Sequence, residues 1–196
     1  CKYSDLTVFS FHPVKIITSG EGGMVTTNNS FLADKIYKLR SHGIVKDPDK
    51  YILKEDYPWK YEQQILGFNY RMNDIQAALG ISQLKRLEKI VSERNSQHSF
   101  YLKIFNDLPL TFLSLPPSVY SSYHLAIIKI PKKLSKSYLE IFNGIRSHGI
   151  GIQLHYIPIY KQPYFSKFGF KKEIFPGAED YSCLLYTSPS PRDSFR

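Results

Sequence analysis

The sequence predicts an α/β chain, because apolar runs of strand length and amphipathic helical segments both occur along most of it. Three stretches support this prediction. They are two apolar runs on either side of Lys15, a long helical segment that begins near Asn73, and a strand–helix–strand pattern within residues 123–156. The 196 residues, 42% of them hydrophobic, are enough for one ordinary core and part of a second.

Composition argues against several functional classes. The formal charge of +9 arises from 26 basic and 17 acidic residues, so the surface could attract nucleic acid, a membrane or a polyphosphorylated small molecule. No basic run reaches five residues and no nucleic-acid-binding motif is present, so we expect no nucleic-acid partner. Cys1 and Cys183 lie at opposite ends and indicate neither a disulfide framework nor a metal site. Without a signal peptide or an apolar run long enough to cross a bilayer, we expect a cytoplasmic protein with no membrane partner.

Lys15 lies between two apolar runs that have the pattern of short buried strands. Val8–Phe11 precedes it, and Met24-Val25 follows the turn residues Ser19–Gly23. Desolvation beside an apolar sheet edge favours the neutral amine of a lysine. Because a neutral amine is a nucleophile that forms Schiff bases, this position is typical of a lysine that binds an aldehyde cofactor. A solvated loop lysine is the alternative for Lys15 considered alone.

The next segment predicts one amphipathic helix and then a long loop. Asn28–Ser30 offers N-caps, and apolar residues follow at helical spacing across Leu32–Leu39. We expect the helix to close at Ser41–Gly43, where His42 is either part of the cap or a ligand. Residues 44–66 show no clear periodicity, and loops of this length are often functional.

Residues 67–80, GFNYRMNDIQAALG, form the second informative stretch. Asn73, with a glutamine three residues later, predicts a capping-box helix start, so Asn69 and Arg71 lie in the loop directly before that helix. Taken alone, these two residues are more typical of a turn cap and a solvated arginine. Apolar residues continue at helical spacing well beyond the motif, and we expect one unusually long helix with Gly80 as the candidate for a bend.

The remaining sequence predicts a smaller α/β domain. The composition changes at Pro109, so we predict one domain part over 1–108 and a second over 109–181. Strands are expected at 110–113, 123–130 and 150–156, with a helix capped by Ser135 or Ser137 that ends at 148–149. The Ser/Pro-rich segment 182–196 is typical of a flexible linker or of non-native sequence, and we leave it outside the predicted fold.

These stretches resemble the DegT/DnrJ/StrS-type nucleotide-sugar aminotransferases. Phe9–Lys15 followed by Gly20–Gly23 is similar to the family motif whose lysine holds pyridoxal 5'-phosphate (PLP) through a Schiff base and whose serine, five positions earlier, bonds the cofactor phosphate. The resemblance implies that Lys15 is catalytic and cofactor-binding and that Ser10 binds the cofactor. It also implies a type I aminotransferase fold, of which this chain comprises the end of the large domain and most of the small C-terminal domain.

The other motifs extend the resemblance. In the family's similar GxNYRM segment, the asparagine reaches the cofactor phosphate of the other subunit and the arginine is associated with substrate. The resemblance thus implies a homodimer with composite sites, in which Asn69 binds the cofactor and Arg71 the substrate. Gln153–Tyr160 is similar to the HYxPxH/Y segment that approaches the sugar, which makes His155 and Tyr156 substrate-binding candidates. A satisfied core histidine is the alternative for His155.

The resemblance implies transamination, with glutamate as the usual amino donor and a nucleotide-linked keto sugar as acceptor. Some family members are dehydratases with histidine at the lysine position, so Lys15 favours the transaminases. His12–Val14 and His155–Tyr160 look most like family members of pseudaminic acid biosynthesis, which aminate a UDP-linked 4-keto-6-deoxy-N-acetylhexosamine. The chain would then be an internal or C-terminal fragment, inactive alone, that lacks the groups for ring stacking and for the pyridine nitrogen.

Two interpretations from other classes stay open. One is a non-catalytic relative that acts as a regulator or binds a ligand. The other is a basic, aromatic-rich α/β module that binds nucleic acid.

Overall fold

The computed structural model describes residues 2–55, 57–131, 138–170, 174–182 and 185–188. The chain forms two compact units that divide between Glu88 and Lys89. Each unit combines short antiparallel strands with helices. Among the described residues, no helix is both long enough and apolar enough to span a membrane.

The first unit has two separate two-stranded sheets. Its elements are β1 (Thr7–Ser10), β2 (Gly23–Thr26), α1 (Ser30–Arg40), β3 (Ile44–Val45), a 3₁₀ turn (Pro48–Lys50), β4 (Glu62–Gln63) and α2 (Asp74–Leu84). β1 pairs with β2 in antiparallel register, with Ser10 opposite Gly23, and β3 pairs with β4.

The β1–β2 hairpin exposes the apolar side chains that the sequence predicted to be buried. Val8 is 75% exposed and Met24 is 51% exposed. The prediction of buried strands is therefore wrong for these residues, although both strands form. In the part of the chain that the structure describes, neither strand has a second neighbour, and a hairpin without a further layer cannot bury its faces.

Both helices of the first unit begin at their predicted caps. The Asn29 side chain accepts hydrogen bonds from the N–H groups of Phe31 and Leu32. Asn73 and Gln76 form the predicted capping box, since each side chain accepts from the other residue's N–H, at 2.9 and 3.2 Å. Local sequence is thus sufficient to start α1 and α2.

The long helix predicted beyond Asn73 is interrupted between α2 and α3 (Leu87–Ile104) rather than bent at Gly80. The N–H of Arg86 bonds to the Gln83 carbonyl at 3.0 Å, three residues back, which tightens the last turn of α2 and ends it.

Residues 44–66, predicted to be an irregular loop, are closed by the β3–β4 pair and fold around the carboxylate of Glu62. This side chain is nearly buried and accepts from the N–H groups of Ile52 at 2.7 Å and Leu53 at 2.9 Å. Lys60 Nζ lies 3.3 Å from the carboxylate. Desolvation raises the pKa of Glu62, but the hydrogen bonds to the ionised form outweigh it and lower the pKa to about 2.

The second unit contains one four-stranded sheet in the order β5–β6–β8–β7, with antiparallel neighbours throughout. Its elements after α3 are β5 (Thr111–Phe112), β6 (Ala126–Lys129), α4 (Tyr138–Ser147), β7 (Gln153–Leu154), a 3₁₀ turn (Ile159–Lys161), α5 (Pro163–Ser166), α6 (Pro176–Ser182) and β8 (Leu185–Ser188). Ile130 and Ile152 are its buried centre, and apolar residues of α4 pack against them. The predicted caps of α4, Ser135 and Ser137, lie outside the described residues.

β8 corrects the exclusion of residues 182–196 from the fold. Leu185–Ser188 lies between β6 and β7 and pairs with both, so part of this segment is inside the sheet. The Ser/Pro composition of the surrounding residues obscured a short Leu-Tyr-Thr run with the residue types that strands favour.

Helix α3 packs with the second unit through buried polar side chains. Arg94 Nη1 donates to the carbonyls of Tyr123 and His124 at 3.1 and 3.2 Å. His98 stacks on the Tyr123 ring with the centroids 3.9 Å apart, and burial lowers the pKa of His98. The two compact units divide within the first turn of α3, between Glu88 and Lys89. The domain boundary at Pro109 stays a prediction from composition.

We expect Glu62→Gln to lower the thermal unfolding midpoint, because an amide cannot replace a carboxylate that accepts several hydrogen bonds. The native pKa of about 2 is below the ordinary value of 4.5, so the unfolded chain binds more protons between these two values. The stabilisation by Glu62 is therefore present above pH 4.5 and is lost as the pH falls towards 2. Circular dichroism melts across this range measure both effects.

The matched control is Glu55→Gln, which changes an exposed carboxylate in the same loop. It should leave the midpoint and its acid dependence close to those of the unchanged chain. Equal effects of the two substitutions would contradict the role assigned to Glu62.

Candidate active site

Lys15 lies in the loop between β1 and β2, and the backbone of Phe11 closes this loop at its base. The N–H of Phe11 donates to the Gly22 carbonyl at 2.9 Å. The Phe11 carbonyl accepts from the N–H of Ser19 and from the Thr18 hydroxyl, both at 3.0 Å. Lys15 is half-buried.

His12 connects Lys15 to Ser10. The N–H of Lys15 donates to the His12 carbonyl at 2.9 Å, which makes a tight turn. Ser10 Oγ lies 3.4 Å from the N–H of His12, the outer limit of a hydrogen bond. Ser10 is exposed at the end of β1. The structure therefore places the two cofactor candidates of the first motif in one short, hydrogen-bonded segment.

Thr18 and Ser19 are residues whose roles the sequence did not predict. Besides bonding Phe11, the Thr18 hydroxyl accepts from the N–H of Gly20 at 2.9 Å, and Ser19 is 1% exposed. Hydroxyl residues directly before glycine often bond the local backbone in this way, and that signal was available in the sequence.

The segment Gly67–Arg71 is held against the C-terminal end of α1 by backbone hydrogen bonds. The N–H of Phe68 donates to the Leu39 carbonyl, and the Phe68 carbonyl accepts from His42, each at 2.7 Å. The carbonyls in the last turn of a helix lack partners within the helix, so this segment completes the end of α1. His42 has φ +61° just after the helix, in agreement with its interpretation as part of the cap.

Two glycines allow the backbone of the Gly67–Arg71 segment to lie so close to the chain that follows α1. A Cβ on Gly67 would overlap the Gly43 nitrogen, and a Cβ on Gly43 would overlap the Ile65 carbonyl. Gly43 also has φ +71°, a conformation that other residues rarely adopt. The position of the Asn69-bearing segment is thus fixed by contacts that only glycine permits.

Asn69 and Arg71 both have exposed side chains. Between them, Tyr70 is 71% exposed and stacks on Phe68 with centroids 4.8 Å apart. The second motif therefore presents its polar groups outward from a held backbone.

Arg71 also lines a groove of about 900 Å³ along α1 that is rich in cations. Lys38 and Lys50 are paired there with Asp34 at 2.9 and 3.7 Å. Arg40 and Arg71 have no ion-pair partner among the described residues. The groove thus offers positive charge to an anionic ligand.

His155 and Tyr156 lie in the second unit, directly after β7. The strand predicted over 150–156 is shorter, so neither residue is in the sheet. His155 is half-buried, Tyr156 is 64% exposed, and their ring centroids are 3.6 Å apart. Tyr156 has most of its ring available to a ligand.

The end of the Gln153–Tyr160 segment is anchored by the carboxylate of Glu179, which the sequence did not reveal. The Tyr160 hydroxyl donates to Glu179 Oε1 and Lys161 Nζ donates to Oε2, both at 2.6 Å. The Tyr160 ring also stacks on Phe175, with centroids 4.7 Å apart. These contacts join the motif to α6 and fix the backbone that follows Tyr156.

Residues 1–190 match the model of the DegT/DnrJ/EryC1/StrS aminotransferase family. The chain belongs to this family. It is 40% identical over 167 residues to the UDP-4-amino-4,6-dideoxy-N-acetyl-beta-L-altrosamine transaminase of Campylobacter jejuni, an alignment that covers 85% of this chain and 42% of the relative. It is 35% identical over 202 residues to the spore coat polysaccharide biosynthesis protein SpsC of Bacillus subtilis, with 96% and 51% covered. The chain thus spans about half the length of the curated relatives it matches.

The solved structures that this chain resembles are also aminotransferases. PseC of Helicobacter pylori, an aminotransferase involved in pseudaminic acid biosynthesis, is 35% identical with a TM-score of 0.81, over 95% of this chain and 48% of PseC. The sugar aminotransferase Spr1654 of Streptococcus pneumoniae in its PMP-form is 26% identical with a TM-score of 0.83, over 98% of this chain and 49% of Spr1654. These matches confirm the predicted type I aminotransferase fold, of which this chain corresponds to about half.

The aminotransferases of this family depend on PLP, and Spr1654 has also been solved in its PLP-form. The chemistry of the side chains in the first unit fits this cofactor. Lys15 supplies an amine for the aldehyde, and the Ser10 hydroxyl and the Asn69 amide are donors of the kind that phosphate oxygens accept.

Proposed function

We propose that this chain carries the cofactor lysine of a PLP-dependent sugar aminotransferase. The enzyme transfers an amino group from glutamate to a UDP-linked 4-keto-6-deoxy sugar, as in pseudaminic acid biosynthesis. The observation that carries the proposal is Lys15 itself, held in a backbone-closed loop beside Ser10 in a chain 40% identical to a transaminase.

Each residue of the first motif has a separate role in this proposal. PLP, when bound, supplies an aldehyde and an electron-withdrawing ring. Lys15 Nζ would hold the cofactor and, as the free amine, would carry the proton between substrate carbon and cofactor carbon, taking it from the Cα of glutamate and delivering one to the sugar carbon that receives nitrogen. The Ser10 hydroxyl donates to the cofactor phosphate, a charge-assisted hydrogen bond.

The substrate roles rest on charge and on exposed aromatic surface. Arg71 and Arg40 in the groove along α1 would face the diphosphate of a nucleotide sugar, since planar guanidinium groups match phosphate oxygens in pairs. In the second unit, the exposed ring of Tyr156 and the neighbouring His155 offer an apolar face and a hydrogen-bonding group to the sugar.

We also propose that Asn69 serves the cofactor phosphate of a second protomer. Its side chain is exposed, while its backbone is held by the end of α1, so the amide is presented outward in a fixed position. The assembly would be a symmetric homodimer with two composite sites.

Lys15→Ala should abolish amino transfer, because neither the cofactor bond nor the proton carrier has a substitute. The assay uses the longer polypeptide that carries this sequence, with isotope-labelled glutamate and a UDP-linked 4-keto-6-deoxy-N-acetylhexosamine, and follows nitrogen into the sugar by mass spectrometry. Ser10→Ala should instead weaken PLP binding roughly ten- to a hundredfold, the cost of one hydrogen bond to a charged group. Lys35→Ala, on the exposed side of α1, is the control and should retain activity. Labelled sugar from Lys15→Ala above the rate with PLP alone would contradict the assignment.

Mixing Lys15→Ala with Asn69→Ala protomers of that polypeptide tests the composite site. In a mixed dimer one site receives both defects and the other receives neither, so activity at limiting PLP should recover towards about half of the unaltered dimer. If Asn69 serves its own protomer, every mixed site carries one defect. Flat activity at all mixing ratios, with subunit exchange verified by mass spectrometry, would exclude the role in the second protomer.

A further inference from the structure

The base of the Lys15 loop packs against α2 at a point where the contacting groups are small. Ser19 is almost fully buried, and its hydroxyl donates to the Glu21 carbonyl at 2.8 Å. A Cβ on Gly80 of α2 would lie 3.7 Å from the Ser19 Cβ, which is ordinary van der Waals contact. Helix α2 therefore lies directly against the base of the Lys15 loop.

Met72 covers the other side of the same base. A Cβ on Gly22 would lie 2.7 Å from Met72 Cε and 2.5 Å from Ser19 Oγ, so a side chain there would force Met72 or Ser19 to move. Gly22 also has φ +153°, which disfavours any other residue. Met72 directly follows Arg71, so the contact comes from the segment that leads into α2.

The contact coincides with the hydrogen bonds that close the loop. Phe11 bonds to Gly22 and to Ser19, and these two residues are the ones that Met72 and Gly80 cover. A shift of Met72 or of α2 would therefore move both sides of the base, and with them the chain that leads to Lys15. Packed cores resist small displacements, so such a contact can define one position for the loop.

We propose that Met72 and Gly80 are positioning residues for Lys15. Met72 Cε lies close to Gly22, and α2 lies close to Ser19 at Gly80, where a Cβ would fit but a longer side chain would push on Ser19. The Lys15 loop and the chain from Met72 into α2 therefore pack together within one protomer. This inference rests on the proposed function only in taking Lys15 as the cofactor lysine. Its consequence is that the spacing between the Lys15 loop and the Asn69–Arg71 segment is set within each protomer.

The test measures the accessibility of the Lys15 amine in the longer polypeptide that carries this sequence, in the absence of cofactor and substrate. Limiting acetic anhydride is added, and peptide mass spectrometry gives the acetylation of Lys15 relative to Lys35, which is exposed on α1. Met72→Ala should raise this ratio about twofold or more, because a loop without its cover opens more often and Lys15 is half-buried when the loop is closed. Met72→Leu, which keeps the bulk, should restore the ratio of the unchanged chain.

Two substitutions at Gly80 distinguish a displacement of the Lys15 loop from a general loss of stability. Gly80→Ala adds only a Cβ at ordinary contact distance and should leave the ratio unchanged, whereas Gly80→Leu pushes on Ser19 and should raise it. Ser82→Leu adds the same side chain at an exposed position of α2 and should have no effect on Lys15. Circular dichroism melts of each variant identify any that fail to fold. If a Gly80 variant fails to fold, the acetylation ratio of Met72→Ala alone tests the proposal.

An unchanged acetylation ratio in folded Met72→Ala would overturn the proposal, as would an equal rise in Ser82→Leu. Because the ratio is read without amino transfer, failure of this inference is distinct from failure of the proposed transamination. If the longer polypeptide transfers nitrogen while the acetylation ratio is the same in all variants, the proposed function stands and the positioning role of Met72 and Gly80 is wrong.

Discussion

Three hydrogen bonds made by the backbone of Phe11 close the loop that carries Lys15. They join the two ends of the Lys15 loop at the point where the β1–β2 hairpin opens. Each contributes about 0.5 to 1.5 kcal/mol net, and a two-stranded hairpin is marginal by itself. The packing of Ser19 and Gly22 against the second motif explains how so short a hairpin can hold a defined loop.

The first unit exposes much apolar surface. Ile75 on α2 is 83% exposed, Leu66 is 88% exposed, and Trp59 in the loop around Glu62 is 77% exposed. Contiguous exposed apolar surface is typical of interaction sites. A second protomer could cover this apolar surface, and so could polypeptide of the kind that makes the relatives longer. Either agrees with an active site to which residues outside this chain contribute.

Features set by neighbouring residues were predictable from the sequence, and features set by distant ones were not. The caps at Asn29 and Asn73 need only the next three residues, so their patterns identified the start of α1 and α2. β8 depends on pairing with strands far away in the sequence, and its Ser/Pro surroundings concealed it. The end of α2 carries neither glycine nor proline and lies within continuing apolar periodicity, so no local signal marked it.

The same distinction holds for the candidate site. Lys15 and Ser10 belong to one short motif, and the structure places them in one segment, as the motif implies. The contact of Met72 and Gly80 with the loop joins two motifs that are distant in the sequence, so spacing within either motif could not reveal it. Glu62 appeared to be one more polar loop residue, and only the folded loop shows the hydrogen bonds that its carboxylate accepts.

The central claim is that Lys15 is the lysine that holds PLP. The most direct measurement incubates the longer polypeptide that carries this sequence with PLP, reduces it with borohydride and locates the pyridoxyl mass by peptide mapping. We expect one modified peptide, the one that contains Lys15, and loss of that label when glutamate is added before reduction. Label spread over exposed lysines such as Lys35 and Lys89 would contradict the role of Lys15. Label on Lys15 that glutamate does not remove would contradict glutamate as the amino donor.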